Sequence, residues 1–241
     1  MLKRSLSWIT AIALIFCLLP SGCSKDLAQQ KGLSDTALFA RGQQMEEKKK
    51  YEDAAEAFQL LVERYPNSPL APQGQLGLAS NLMKQKEAVL AEAAFDDFLR
   101  LYPANPKVPD ALLLKGDLLY QKILLPGRSQ EKTKEAIEVY KQFLEKESDT
   151  PRAKTVLSRI KELRVHLLRH EETIISHLLS SKKYESAELR AKRALEEFSD
   201  LAPATNLLSM LSKAQEKRAK ADEAAQAQKT RDEKSPREGN K

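Results

Sequence analysis

The chain has 241 residues and a formal net charge of +6 at pH 7, with 41% hydrophobic and 31% charged residues. Only eight glycines among many Ala, Leu, Lys and Glu residues indicate an all-helical protein. Basic and acidic residues are interspersed along the chain, which favours a solvated helical surface and argues against a nucleic-acid-binding patch.

Residues 1–22 have the pattern of an export signal. Lys3 and Arg4 precede an apolar run over 8–19, and the segment Pro20-Ser21-Gly22-Cys23 follows. The run is shorter than the roughly 20 residues that a membrane-spanning helix needs. A cysteine directly after Ser-Gly resembles the lipobox of bacterial lipoproteins, which implies cleavage before Cys23 and acylation of that residue. The alternative is an ordinary secretory signal with a chance cysteine.

Cleavage at this site would leave a mature chain with one cysteine, because Cys17 lies inside the signal. No disulfide framework is then possible, and stability must come from packing. Loss of Lys3 and Arg4 lowers the formal charge from +6 to +4. We interpret residues 23–34 as a lipidated tether. Ser24 after the cysteine fits delivery to the outer membrane, because Asp at that position favours retention at the inner membrane.

Internal repeats follow the tether. Ala54, Phe58 and Pro66 recur with the same spacing as Ala91, Phe95 and Pro103, and weaker copies begin at Ala136 and Ala187. The pattern resembles the tetratricopeptide (TPR) repeat, a helix pair in which a small residue allows close approach, an aromatic fills the space between repeats and a proline ends the second helix. We therefore predict an all-α, TPR-like α-solenoid of about four to five helix pairs, with an irregular helical bundle as the alternative.

The predicted organisation is repeats one and two over 35–107, repeats three and four over 108–200, a terminal helix over 201–226 and a disordered tail over 227–241. No apolar period continues into the tail. The predicted helices are 35–48, 52–65, 70–84, 88–101, 108–122, 131–146, 152–180, 184–198 and 203–225.

Two segments carry a closer family resemblance. The segment over 71–79 and the segment Phe98-Leu99-Arg100-Leu101-Tyr102-Pro103-Ala104-Asn105-Pro106 resemble the BamD family, the TPR lipoproteins of the outer-membrane β-barrel assembly machinery. Glu171 also matches the family pattern, whereas His166, His170 and His177 depart from it. The resemblance implies a lipid-anchored scaffold on the periplasmic face of the outer membrane. It implies as partners a BamA-like barrel-inserting subunit, other Bam-type lipoproteins and unfolded outer-membrane proteins.

Two partner-binding surfaces are predicted. The repeat register places five large residues on the concave surface formed by the first helix of each repeat, and apolar residues there suggest a groove for a peptide or a partner helix. By resemblance, the long helix would dock onto the barrel-inserting subunit. The groove residues are Phe39, Leu76, Met83, Leu113 and Tyr120, and the docking residues are His166, Arg169, His170 and Glu171.

No catalytic motif, metal site or cofactor site is expected. His170-Glu171-Glu172-Thr173-Ile174 lacks the second histidine of a zinc-protease motif. His166, His170 and His177 share one helical face, and we interpret them as flanking a packing stripe. A partner interface is the interpretation that lies between such packing and a metal site. The alternative function is that of a TPR adaptor lipoprotein of pilus biogenesis or of the Tol–Pal envelope system.

Overall fold

The computed structural model describes residues 32–122, 130–201 and 205–234, and every regular element there is an α-helix. Cys23, the signal segment and most of the predicted tether lie outside these residues. The helices are α1 (Asp35–Glu47), α2 (Tyr51–Arg64), α3 (Ala71–Lys84), α4 (Ala88–Leu101), α5 (Val108–Tyr120), α6 (Glu131–Lys146), α7 (Pro151–Ser180), α8 (Tyr184–Phe198) and α9 (Thr205–Lys234).

The chain divides into two compact units, residues 1–78 and 79–241. The all-α, TPR-like fold class is confirmed, because helix pairs with the predicted packing positions recur in both units. The finer grouping into repeats 35–107 and 108–200 stays a prediction.

In the first unit, one phenylalanine joins three helices. Phe58 on α2 is buried, and a Cβ added at Gly42 of α1 would lie 2.6 Å from its ring. A Cβ added at Gly77 of α3 would lie 2.8 Å from the opposite edge of the same ring. Glycine is favoured at both positions, since a side chain could be accommodated only if the ring moved. The predicted role of Phe58 as a filler between repeats is confirmed.

The connection after α2 is also held within the first unit. Tyr65 donates its hydroxyl to the Leu33 carbonyl at 2.9 Å, and Ser68 Oγ donates to Asp35 Oδ2 at 2.6 Å. Ser34 caps α1 by accepting a hydrogen bond from the Ala37 amide at 3.2 Å. The residues just before α1 are thereby fixed to the end of the first helix pair.

The turn between paired helices has the same geometry at three places in the chain. Lys49, Lys86 and Lys182 have φ values of 58°, 67° and 59°, in the left-handed region. In each turn the next residue donates its amide to a carbonyl five positions back, as Lys50 does to Met45 at 2.9 Å. This is the helix-ending arrangement that normally uses glycine. Each lysine lies five positions before the small residue of a repeat, which supports the predicted alignment.

The second unit repeats the close packing with variations. Gly116 of α5 faces Tyr140 of α6 as Gly42 faces Phe58, so that the third repeat keeps its register despite a longer connection. Ala91, Phe95, Ala187 and Ala191 are fully buried at their predicted packing positions.

The last helix differs from the prediction. We expected it to end at 226 and to be followed by a disordered tail over 227–241, but α9 continues through Lys234, and residues 235–241 lie outside the described residues. Residues 227–234 are mainly Ala, Gln, Lys, Arg and Glu, which favour helix without an apolar face. Gln228 donates to Asp232 at 2.9 Å one turn later. The absence of an apolar period was therefore not a sufficient signal for disorder.

Candidate partner-binding surfaces

The predicted groove residues of the first unit are half-buried. The Phe39 ring lies 5.8 Å from the Phe58 ring, centroid to centroid, and is tilted by 59°. Leu76 lies on α3, one position before Gly77. Phe39 thus contacts the core residue Phe58 with part of its ring and keeps the rest of the ring accessible.

In the second unit, Met83, Leu113 and Tyr120 are half-buried. The Tyr120 hydroxyl donates to Glu162 of α7 at 2.5 Å, and this bond, together with burial, raises the pKa of Tyr120. The Arg159 guanidinium lies 5.6 Å from the Tyr120 ring centroid. Tyr120 is therefore linked to α7 by both its hydroxyl and its ring.

A polar cluster next to Tyr120 was not found by sequence reasoning. Tyr140 donates its hydroxyl to Asp117 Oδ1 at 2.7 Å, and Arg159 forms an ion pair with the same carboxylate. Burial and the bond to Asp117 raise the pKa of the Tyr140 hydroxyl. The cluster joins α5, α6 and α7, so that these three helices are held together by hydrogen bonds as well as by apolar packing.

The first predicted docking residue is held inside the second unit. His166 Nδ1 donates to the Gln130 side-chain oxygen at 2.9 Å, and that oxygen also accepts from the Thr133 hydroxyl at 3.0 Å. Gln130 is buried at the start of α6. Burial, with the positive charges of Arg169 and His170, lowers the pKa of His166. The neutral imidazole is therefore favoured, and Arg169 is the exposed member of this part of the helix.

The remaining docking residues line a small cavity. Arg190 of α8 donates two hydrogen bonds to Glu171, at 2.6 and 3.0 Å. His170 and Glu171 border a cavity of about 270 Å³ between α6, α7 and α8. Paired donation from a guanidinium fixes the carboxylate orientation. Of the four docking residues, the structure brings His170 and Glu171 together at this cavity and leaves Arg169 on the open surface.

The contact between α8 and α9 is electrostatic at its outer edge. Glu188 accepts from Lys192 at 2.8 Å and from Arg218 at 3.1 Å, and these bonds lower the pKa of Glu188 to about 2. These bonds attach the terminal helix α9 to α8. Within the parts of the chain that the structure describes, no group of three or more His, Cys, Asp or Glu residues could hold a metal ion. The helices of those same segments also include none with the length and hydropathy of a membrane-spanning helix.

The chain is similar to a family model, to curated relatives and to a solved structure. The family model described as YfiO, outer membrane lipoprotein, matches residues 31–230. The chain is 26% identical over 227 residues to the outer membrane protein assembly factor BamD of Neisseria gonorrhoeae, covering 90% of this chain and 85% of that protein. Its identity to BamD of Neisseria meningitidis serogroup A is also 26%, covering 93% and 88%. Among solved structures, MamA is similar with a TM-score of 0.43 at 15% identity, over 78% of this chain and 94% of MamA.

Proposed function

Because the chain belongs to the YfiO family of outer membrane lipoproteins, we propose that it is a lipid-anchored scaffold in the assembly and insertion of β-barrel outer-membrane proteins. The observation that carries the proposal is the family match over residues 31–230 together with relatives named outer membrane protein assembly factor BamD. The proposed role is binding and positioning, without catalysis. The repeated helix pairs support it, since stacked repeats present extended surfaces to protein partners.

The proposed location is the periplasmic face of the outer membrane, with the anchor at Cys23. Each acyl CH₂ buried in the membrane adds about 0.8 kcal/mol, so several chains on one cysteine hold a protein where one chain does not. Cys23→Ala should give a folded but misplaced protein that takes up no radiolabelled palmitate, whereas the wild-type protein should incorporate the label. Unlabelled wild-type protein in the soluble fraction would contradict the anchor.

Two separate surfaces are proposed for the partners. The surface carrying Arg169, with His170 and Glu171 at its border, is assigned to a BamA-like barrel-inserting subunit and its accompanying lipoproteins. The groove surfaces carrying Phe39 and Tyr120 are assigned to apolar-aromatic segments of unfolded outer-membrane proteins. Interface energy usually concentrates in a few aromatic and Arg residues, so single substitutions should separate the two activities.

The test combines capture and peptide binding. Arg169→Glu should lose co-purification of the barrel-inserting subunit from detergent-solubilised membranes and keep client-peptide binding. Phe39→Ala combined with Tyr120→Ala should do the reverse. The mature chain from Cys23 onward contains no Trp, so that a Trp-labelled client peptide can be followed by fluorescence. If both variants behave like wild type in both assays, the surface assignments are wrong. Co-purification of pilus or Tol–Pal components instead would replace the proposed function.

A further inference from the structure

The lengths of the last repeat's helices do not match. Helix α7 has 30 residues, whereas its partner α8 has 15. Helix α8 runs back along the second half of α7, where Arg190 binds Glu171, and the chain just after α8 reaches Arg164, which donates to Asp200 at 2.7 Å. The first part of α7, residues 151–163, extends beyond this contact by about 13 residues, or about 20 Å.

A groove lies beside this extension. It has a volume of about 680 Å³ and runs between α6 and α7, with Glu197 and Phe198 of α8 at one end. Its floor is apolar. Leu157, although 53% exposed, lies in the groove, and its apolar neighbours are half-buried or buried. The apolar lining residues are Ile137, Leu144, Leu157, Ile160, Leu167 and Phe198.

Basic residues outnumber acidic ones around the groove, because Lys134, Lys141 and Arg164 line it together with Glu138 and Glu197. Lys134 and Lys141 line it from α6, two turns apart on one helical face. On α7, the exposed Lys154 and Lys161 lie about 40–60° around the helix from Leu157, at the outer edge of the same stripe. The Lys141 Nζ atom lies 3.9 Å from Glu138 Oε2, and both side chains are strongly exposed, so this ion pair is weak. An apolar floor with lysines on both sides is complementary to an apolar stripe flanked by carboxylates.

We propose that this groove binds an acidic amphipathic helix of a partner protein, in the position that the second helix of a longer repeat would occupy beside the first half of α7. A helix pairs its own backbone groups, whereas the floor consists of apolar side chains on two helices and offers no backbone partners to an extended peptide. A partner helix of about four turns matches the exposed length and would place residues at i, i+3 or i+4, and i+7 over Leu157 and Ile160.

The proposed docking residues do not line this groove. Arg169 borders neither space, and His170 and Glu171 border the smaller cavity, which shares Lys134, Leu167, Glu197 and Phe198 with the groove. Leu157 lines the groove but not the cavity. The proposal rests on the packing of the second unit alone and not on the role in barrel assembly. Loss of peptide binding in the Leu157→Glu variant therefore leaves docking through Arg169 measurable.

The test uses Trp-labelled synthetic peptides and the mature chain. The first peptide is a helix of about 14 residues with leucines at i, i+3, i+4 and i+7 and flanking glutamates. The second has lysines in place of the glutamates. The third has the composition of the first but contains prolines that prevent helix formation. Binding is measured by fluorescence titration at low and high salt.

We expect the acidic helix to bind and the other two peptides to bind at least about tenfold more weakly. Leu157→Glu should weaken binding of the acidic helix by at least about tenfold, because it places a carboxylate on the apolar floor. Leu189→Glu on α8 is the matched control, since Leu189 is 51% exposed and lies outside the groove lining, and it should bind like wild type. Lys134→Glu with Lys141→Glu should weaken the acidic peptide and strengthen the lysine peptide.

Three results would overturn the proposal. Equal binding of the acidic and lysine peptides would remove the charge argument. Tighter binding of the proline-containing peptide, sensitive to Leu157→Glu, would assign the groove to an extended client. A dimer of the mature chain in sedimentation that Leu157→Glu dissociates would assign the groove to a second copy of this chain.

Discussion

Substitution of Gly42 by alanine tests the packing unit on which the repeat assignment depends. The new methyl group would meet the Phe58 ring at 2.6 Å, about 1 Å closer than a favourable carbon–carbon contact. The ring cannot retreat freely, because its opposite edge already lies against Gly77. Alanine in a helix interior gains about 1 kcal/mol over glycine, and overpacking a core costs about 1–3 kcal/mol. We expect Gly42→Ala to lower the free energy of unfolding by about 1 kcal/mol.

A double-mutant cycle separates the clash from the helix effect. Phe58→Leu shortens the side chain and should relieve the clash with the new methyl group. The double variant should therefore be about 1 kcal/mol more stable than the sum of the two separate effects predicts. Gly42→Ala combined with Gly77→Ala should destabilise more than their sum, because the ring is then blocked on both sides. Urea unfolding followed by circular dichroism measures all variants. The packing argument would be refuted if Gly42→Ala raised the free energy of unfolding by the full helix-propensity gain of about 1 kcal/mol. This refutation would also require that the effects of Gly42→Ala and Phe58→Leu simply add.

Three further predictions use the same assay. Ala91→Leu should cost about 1–3 kcal/mol by overpacking a fully buried position, whereas the exposed Lys220→Ala should change little; equal urea midpoints for Ala91→Leu and wild type would mean that the repeat register is wrong. Lys86→Gly should stabilise the protein by up to about 1 kcal/mol, because only glycine adopts a φ of 67° without strain. Lys86→Ala should give no such stabilisation, and an increase in the free energy of unfolding for the alanine variant would contradict this reasoning. Glu188 has a folded-state pKa of about 2 against an ordinary 4.5. The wild-type protein should therefore be more stable than Glu188→Gln above pH 4.5, and this difference in the free energy of unfolding should diminish as the pH falls toward 2. A difference that stays constant with pH would exclude the ion pairs as its source.

The sequence predicted the helices well because their signals are local. Helix α4 was predicted over 88–101 and α6 over 131–146, with the bounds that the structure has. Apolar periodicity defines the interior of such helices, and Pro103 marks the region where α4 ends. The turn residues gave no comparable signal, since Lys86 adopts a conformation for which glycine is the usual marker.

The candidate surfaces depend on distances that no local pattern encodes. Glu171 was selected by family resemblance, but its bond to Arg190 depends on how α8 packs along α7. The cluster of Asp117, Tyr140 and Arg159 requires three helices to approach one point. The groove beside Leu157 follows from the unequal lengths of α7 and α8. Both lengths were predicted, but the position of α8 along α7 was not.

Depletion of the protein in its native bacterium, followed by measurement of folded, heat-modifiable β-barrel proteins in the outer membrane, tests the proposed role in barrel assembly most directly. The proposal predicts that folded barrels decrease while unfolded outer-membrane proteins accumulate in the periplasm, and that wild-type protein supplied from a plasmid restores them but Cys23→Ala protein does not. Unchanged barrel levels in depleted cells, with loss of pili or of Tol–Pal-dependent envelope integrity, would contradict it.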